Sequence, residues 1–349
     1  MRKSNVRIST IVCSIVFLIL GAFQTGFGAS SSLQWTKSTP LPEPRAGGAT
    51  GVIDGRLIIA GGTYWEGTKE HWTKKIFSAA THAFDPATGK WERLPDAPLP
   101  FGYAAFATVN NKLYVMGGYT GREVNSAIFA LEKKGDAYVW TSVGKMPAGR
   151  VHARAVSVGD SIYLLGGTTQ FEPYDDTGTC CTSKTATSML MVLDTAQIAK
   201  GWSQLASFPG ARRWSFTSET DGRYIWMFGG TFQSEVKDPI TDFNEVLRYN
   251  LATDQWQRMD PLPDAVRATV PLCALFIKDR ILLMSYAKKV WQLDLVTLKY
   301  SESSPLPEEV AADKFVWFNH QILASGGENN IQGPRRRSEW TFIGRFVSE

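Results

Sequence analysis

Residues 52–62, "VIDGRLIIAGG", decide the fold. Two apolar runs flank Asp54 and Gly55, a pair suited to the positive φ of a tight hairpin turn, and the second run closes on two glycines. The unit recurs. "VNNKLYVMGG", "VGDSIYLLGG", "TDGRYIWMFGG" and "FNHQILASGG" repeat turn and glycine pair, and "IKDRILLMSY" repeats the turn with Ser285 and Tyr286 where the pair would be.

Between these hairpins lies a second recurrent signal, an aromatic residue followed by a proline turn. It reads "WTKSTPLP" at Trp35, "WERLPDAPLP" at Trp91, "WTSVGKMP" at Trp140, "WSQLASFP" at Trp202, "WQRMDPLP" at Trp256 and "YSESSPLP" at Tyr300, with spacings of 44 to 62 residues. A period in this range marks repeat architectures. A full unit supplies four short apolar runs bounded by Gly, Asn and Asp, which predicts four antiparallel strands. Six such units predict an all-β, six-bladed propeller, which protects its sheet edges by radial repetition. The last unit supplies only three strands, ending in "WTFIGRFV", while residues 33–38 form a strand without preceding partners. Pairing the two closes the ring. Paired glycines, a "Y-x-x-x-T-x-x-W" element and a proline turn resemble the kelch repeat, over residues 33–349.

The chain begins with a basic segment, the apolar run "ISTIVCSIVFLILGAF" and the small-residue stretch "QTGFGASSS", the three parts of a secretory signal. Residues 1–28 are therefore expected to be a signal peptide and the protein periplasmic or secreted; a membrane is involved only if that segment stays uncleaved. Of the formal charge of +4, three units (Arg2, Lys3, Arg7) lie in this leader, so the remainder carries +1, which gives no case for a nucleic-acid partner. Beyond Cys13 only Cys180, Cys181 and Cys273 remain, too few for a disulfide framework. Cys180 and Cys181 stand as a vicinal disulfide or as two loop thiols. The four histidines, His71, His82, His152 and His320, have no metal-ligand spacing, so no metal is expected.

With strands a to d counted outward from the axis, the b–c loops and d–a links share one face. That face collects the long segments 63–80, 168–188 and 231–245. Its d–a links bring Arg45, Arg150, Arg212 with Arg213, and Arg267, with Phe101 and Tyr103 in the second unit. Since strand a is innermost, these residues are expected to ring the channel mouth, where guanidinium forks suit an anionic ligand. An arginine there can equally pair with a neighbouring blade's acid or backbone. Tyr64, Trp65, Trp72, Tyr119 and Phe171 in the b–c loops are candidates for stacking on a sugar or for anchoring their loops. Glu66, Glu172, Asp175 and Asp176 are further acid/base candidates or solvated carboxylates.

The last b–c loop, "GGENNIQGPRRRSEW" (326–340), holds Glu328 ahead of Arg335, Arg336 and Arg337. A "GGE" followed by a spacer and then Arg before Ser, in an exported kelch propeller, resembles the bacterial N-acetylneuraminate epimerase (sialic acid mutarotase) group. Here the spacer is longer and the motif lies in the last unit. The resemblance implies a catalytic role for Glu328, binding of the sugar's carboxylate by Arg337 with Arg335 beside it, and no cofactor. Two alternatives stay open. A non-catalytic propeller would use the same face to bind a glycan or a partner protein, since fold does not fix function. A copper radical oxidase would need a tyrosine–cysteine pair and two histidines together. The Asp boxes of sialidases are missing.

Overall fold

A computed structural model describes residues 31–68, 71–171, 185–235, 238–267, 272–285, 287–311, 314–329 and 336–348. The leader, the Cys180–Cys181 pair, Glu172, Asp175, Asp176, Tyr286 and Arg335 lie outside the described residues. Six four-stranded antiparallel sheets follow one another along the chain. Blade one is Ala49–Ile53, Arg56–Ala60, Thr81–Asp85 and Lys90–Leu94; blade two is Ala105–Val109, Lys112–Met116, Ala127–Lys134 and Ala137–Lys145. Blade three is Arg154–Val158, Ser161–Leu165, Leu190–Asp194 and Ser203–Leu205; blade four is Thr217–Thr220, Tyr224–Phe228, Val246–Asn250 and Gln255–Met259. Blade five is Leu272–Ile277, Arg280–Ser285, Val290–Asp294 and Tyr300–Ser303. Blade six takes Val316–Phe318, Gln321–Ser325 and Thr341–Ser348 from the C-terminal end and Ser31–Ser38 from the other, paired Ser31 to Ser348 through Ser38 to Thr341.

Each a strand touches the a strands of both neighbouring blades, and blade six returns to blade one, so the ring is closed. The hydrophobic core is divided into clusters between successive blades; one joins Ile58 and Ala60 of blade one to Leu113 and Val115 of blade two, another Leu275 and Leu282 of blade five to Ile322 and Phe342 of blade six. Both motifs of the repeat serve these seams. At Gly61, φ is +63° and a Cβ would lie 2.4 Å from the Phe101 ring of the next blade's link. At Gly166, φ is +54° and a Cβ would meet Phe216 of the next blade at 2.8 Å. Only glycine combines that backbone conformation with that approach. The d-strand tryptophans reach back to the preceding blade. Trp91 Nε1 donates to Thr39 O (3.1 Å), Trp140 Nε1 to Pro95 O (3.2 Å), Trp256 Nε1 to Ala206 O (2.7 Å) and Trp35 Nε1 to Ser304 O (3.3 Å).

Candidate functional site

On the face of the d–a links, the residue after each glycine pair bridges the link that enters its own blade. The bridges are Ala46–Thr63, Gly102–Tyr119, Val151–Thr168, Trp214–Thr231 and Ala311–Glu328. Glu328 thus occupies the place held by Thr63, Tyr119, Thr168 and Thr231 in other blades. In blades one to four the next link residue is Gly47, Tyr103, His152 or Ser215, with φ of 73°, 60°, 53° and 57°. Backbone in this region costs a bulky side chain about 1–3 kcal/mol and is retained where the surroundings impose it. Here Tyr103 N donates to Gly47 O (2.7 Å) and His152 N to Tyr103 O (2.9 Å), which lock the conformation across adjacent blades.

These residues line a funnel at the axis, about 1120 Å³ counting its open mouth, to which all six blades contribute. Glu328 is on its wall. The loop that carries it folds back as a ladder, Glu328–Asn329 against Arg336–Arg337, with Glu328 opposite Arg337. Arg337 Nη1 lies 3.2 Å from Glu328 Oε1, while its Nε donates to Thr63 O at 2.9 Å and its Nη2 to Thr63 Oγ1 at 3.0 Å. The arginine side chain is 5% exposed and that of Glu328 28%, so the guanidinium is a bracket between blades six and one and the carboxylate faces the funnel.

The expectation that arginines ring the mouth requires correction. Arg45 is buried and turned into blade one, where it donates to Glu43 Oε2 (3.1 Å) and, from Nη2, to His82 Nδ1 (3.0 Å). Arg150 is buried and donates to the Gly166 carbonyl (2.9 Å), with the sulfurs of Met189 and Met191 at 3.3 and 3.5 Å. No acid among the described residues pairs with it, and burial pulls its pKa below the ordinary arginine value. Arg212 is exposed; it is Arg213 that takes the equivalent place, fully buried, bonded to Glu245 and the Gly229 carbonyl and packed on Phe243. Burial opposes ionisation of Glu245, but the bonds from Arg213 and Arg258 outweigh it and hold its pKa below the carboxylate norm. In all three cases a carbonyl or carboxylate beside the inner strands takes up the fork, and these bonds offset a desolvation cost that an arginine facing the open channel would not meet. Arg267 ends a one-turn helix, Asp264–Arg267; its side chain, like that of Trp72, lies outside the described part.

Tyr103 does line the funnel. Its ring stacks on His152 (4.6 Å, 26°), and His152 lies 5.3 Å from Trp214, so an aromatic shelf crosses blades two to four. Phe171 and Tyr119 pack behind it, 4.6 Å apart and buried. Lys75 Nζ stands 5.0 Å from the Tyr103 ring centre and 5.3 Å from that of Trp65. Tyr64 and Glu66 are exposed on the hairpin formed by Thr63–Thr68 and His71–Phe77. His82, His152 and His320 occupy three separate sites, and no cluster of three or more His, Cys, Asp or Glu among the described residues could hold a metal.

Two cations of the funnel wall escaped the sequence reading: Arg154, at the start of strand a in blade three, and Lys314, just before strand a in blade six. Lys314 Nζ reaches Glu219 Oε2 of blade four at 3.2 Å, past the whole of blade five. A signal for them existed. Charged residues at or beside the innermost strand of a propeller have only the channel or a buried partner to face.

A family profile described as "KLHDC2/KLHL20/DRC7 Kelch-repeats domain" matches residues 96–285, and the profile "Kelch motif" matches residues 44–98. Among curated relatives, the Kelch-like protein terF of Aspergillus terreus is 25% identical over 242 residues, 66% of this chain and 47% of the relative. Kelch-like protein 36 of Bos taurus is 23% identical over 291 residues, 81% of this chain and 43% of the relative. The N-acetylneuraminate epimerase of Vibrio cholerae is 40% identical over 70 residues, 20% of this chain and 18% of the relative. The chain spans less than half the length of each of these relatives.

Proposed function

The chain belongs to the kelch-repeat family, and from that premise we propose that its channel mouth binds a small anionic sugar of the N-acetylneuraminate class and interconverts its anomers, with Glu328 as the acid/base. One observation carries the reading: among the five described bridges Glu328 is the one residue after a glycine pair that is neither Thr nor Tyr, and it puts a carboxylate on the funnel wall, 3.2 Å from a buried guanidinium. The short match to an N-acetylneuraminate epimerase supports it. The chemistry needs no net change of atoms. Glu328 takes the proton of the anomeric hydroxyl as the bond from the anomeric carbon to the ring oxygen breaks, and then, as the acid, gives that proton to the ring oxygen. The open-chain keto form then rotates and recloses on its other face. A positioned general base contributes about 10²- to 10⁴-fold to such a step. Arg337 holds the carboxylate in place from 3.2 Å, while the Tyr103–His152 shelf offers a flat aromatic face for the sugar ring.

The test is NMR exchange between anomers of N-acetylneuraminate and of neutral sugars. Wild type should accelerate exchange of the acid, and Glu328→Gln should lose at least 100-fold while still binding. Unchanged exchange for every sugar in wild type would sink the proposal. A propeller that only holds a glycan or a partner protein is the second reading, favoured by the burial of Arg45, Arg150 and Arg213, which leaves the face fewer cations; binding without acceleration in the same assay supports it. In the proposed reading residues 1–28 are a cleaved signal and the propeller, 33–349, works in the periplasm or outside the cell. N-terminal sequencing of the mature protein checks this, and an intact Met1 overturns it.

A further inference from the structure

If the funnel takes an anionic sugar, something other than the buried arginines must read its charge. We infer that Lys314 is the specificity-determining cation, held ready by Glu219 in the funnel that Glu328 lines. This deepens the reading above and rests on it. The starting point is backbone pairing: Ala311 N donates to Glu328 O (2.8 Å) and Glu328 N to Ala311 O (3.0 Å), so a residue three positions before Lys314 is paired with the acid/base. Both side chains line the same funnel. In a 2-keto-acid sugar the carboxylate is attached to the anomeric carbon itself, so the group that binds it must neighbour the group that moves the anomeric proton. Arg337 is committed to Thr63 and Glu328, and Arg154, whose Nε donates to Phe216 O (2.9 Å), comes from blade three on the opposite wall. Lys314 comes from the blade that carries Glu328 and lines the same funnel, so its flexible stem can bring the ammonium to a carboxylate bound there. Its side chain is 24% exposed, against 11% for Glu219, so the ammonium can exchange part of its contact with Glu219 for the ligand's carboxylate without being drawn from a dry interior.

The experiment compares N-acetylneuraminate with its methyl ester, which keeps the sugar and removes the charge, by NMR titration and anomer exchange, in wild type, Lys314→Gln, and Lys314→Gln combined with Glu219→Gln. The double variant removes the uncompensated Glu219 charge. Loss of one charge-assisted hydrogen bond predicts a Kd and KM for the acid raised about 10- to 100-fold in both variants. kcat should change less, and the neutral ester should bind as before. If the double variant recovers wild-type affinity, or both variants bind the acid normally, Lys314 only supports Glu219 and the inference is overturned while the mutarotase reading stands. If wild type neither binds nor exchanges the acid, the mutarotase reading falls and takes this inference with it.

Discussion

Arg45 and His82 show how a residue that sequence assigns to a ligand can instead set the protein's response to acid. An arginine fork only donates, so Nδ1 of His82 must accept from Arg45 and the ring must be neutral, with its proton on Nε2, 3.8 Å from Glu43. Burial is the first cause lowering the His82 pKa to about 4, and Arg45 and Arg93 add to it, against a small opposing pull from Asp96. The sign follows from linkage. Between pH 6.5 and 4 the unfolded chain takes up a proton that the folded ring refuses, so stability is full above 6.5 and falls as pH drops through that window. The loss is at most about 3 kcal/mol. Urea unfolding of wild type and His82→Asn at pH 7.5 and 4.5 measures it: the wild type should lose more stability than the variant between the two. An equal loss would mean that His82 is not held neutral.

The glycine pairs make their argument at the level of the blade, where two conditions coincide that elsewhere occur singly. Gly61 has positive φ and the Phe101 ring against it, whereas Gly135, in the turn joining Ala127–Lys134 to Ala137–Lys145, has φ of +60° and nothing within 4 Å of a Cβ. Gly135→Ala should cost only the left-handed penalty of about 1–2 kcal/mol. Gly61→Ala adds overpacking of a buried ring, about 1–3 kcal/mol more. Denaturant melts of the two variants isolate the packing part; equal losses would show that backbone conformation alone selects glycine there. The same contrast explains what the sequence made legible. Turn pairs, glycine pairs and d-strand aromatics mark backbone geometry, which repeats with the chain, so six blades, their order and the closure could be read directly. Placing Glu328 and Tyr103 at the mouth needed only that geometry as well. The arginines were misread because a long, flexible stem starting at the mouth can end in the channel or in the blade. The choice depends on acceptors such as the Gly166 carbonyl and Glu245, which become neighbours only after folding. Lys314 went unnoticed because its partner, Glu219, belongs to another blade.

Across the whole molecule, the funnel exists only while the ring is closed, since every blade supplies part of its wall. Closure depends on one strand. Ser31–Ser38 pairs along its full length with Thr341–Ser348, buries Leu33 in the core shared by blades five and six, and lays Trp35 over Gly344, where a Cβ would come within 2.7 Å of the indole. Trp35 also meets Phe315 edge-on at 5.8 Å and donates to Ser304 O, which ties blade six back to blade five. Removing a buried leucine costs about 2–5 kcal/mol and a tryptophan about 3–5, and with an unfolding entropy of about 2.1 cal/mol/K per residue 1 kcal/mol moves Tm by about 1–2 °C in a chain this long. A protein beginning at Thr39 should therefore melt on the order of 10 °C below one beginning at Ser31, by near-UV circular dichroism. It should also lose sugar binding at temperatures where the longer form retains it. A synthetic peptide of residues 31–38 should restore part of both, because the gap it fills is an open sheet edge with its partner strand already in place. If the two forms melt together, the ring is held by the inter-blade seams alone and the N-terminal strand is an ornament of blade six, not its clasp.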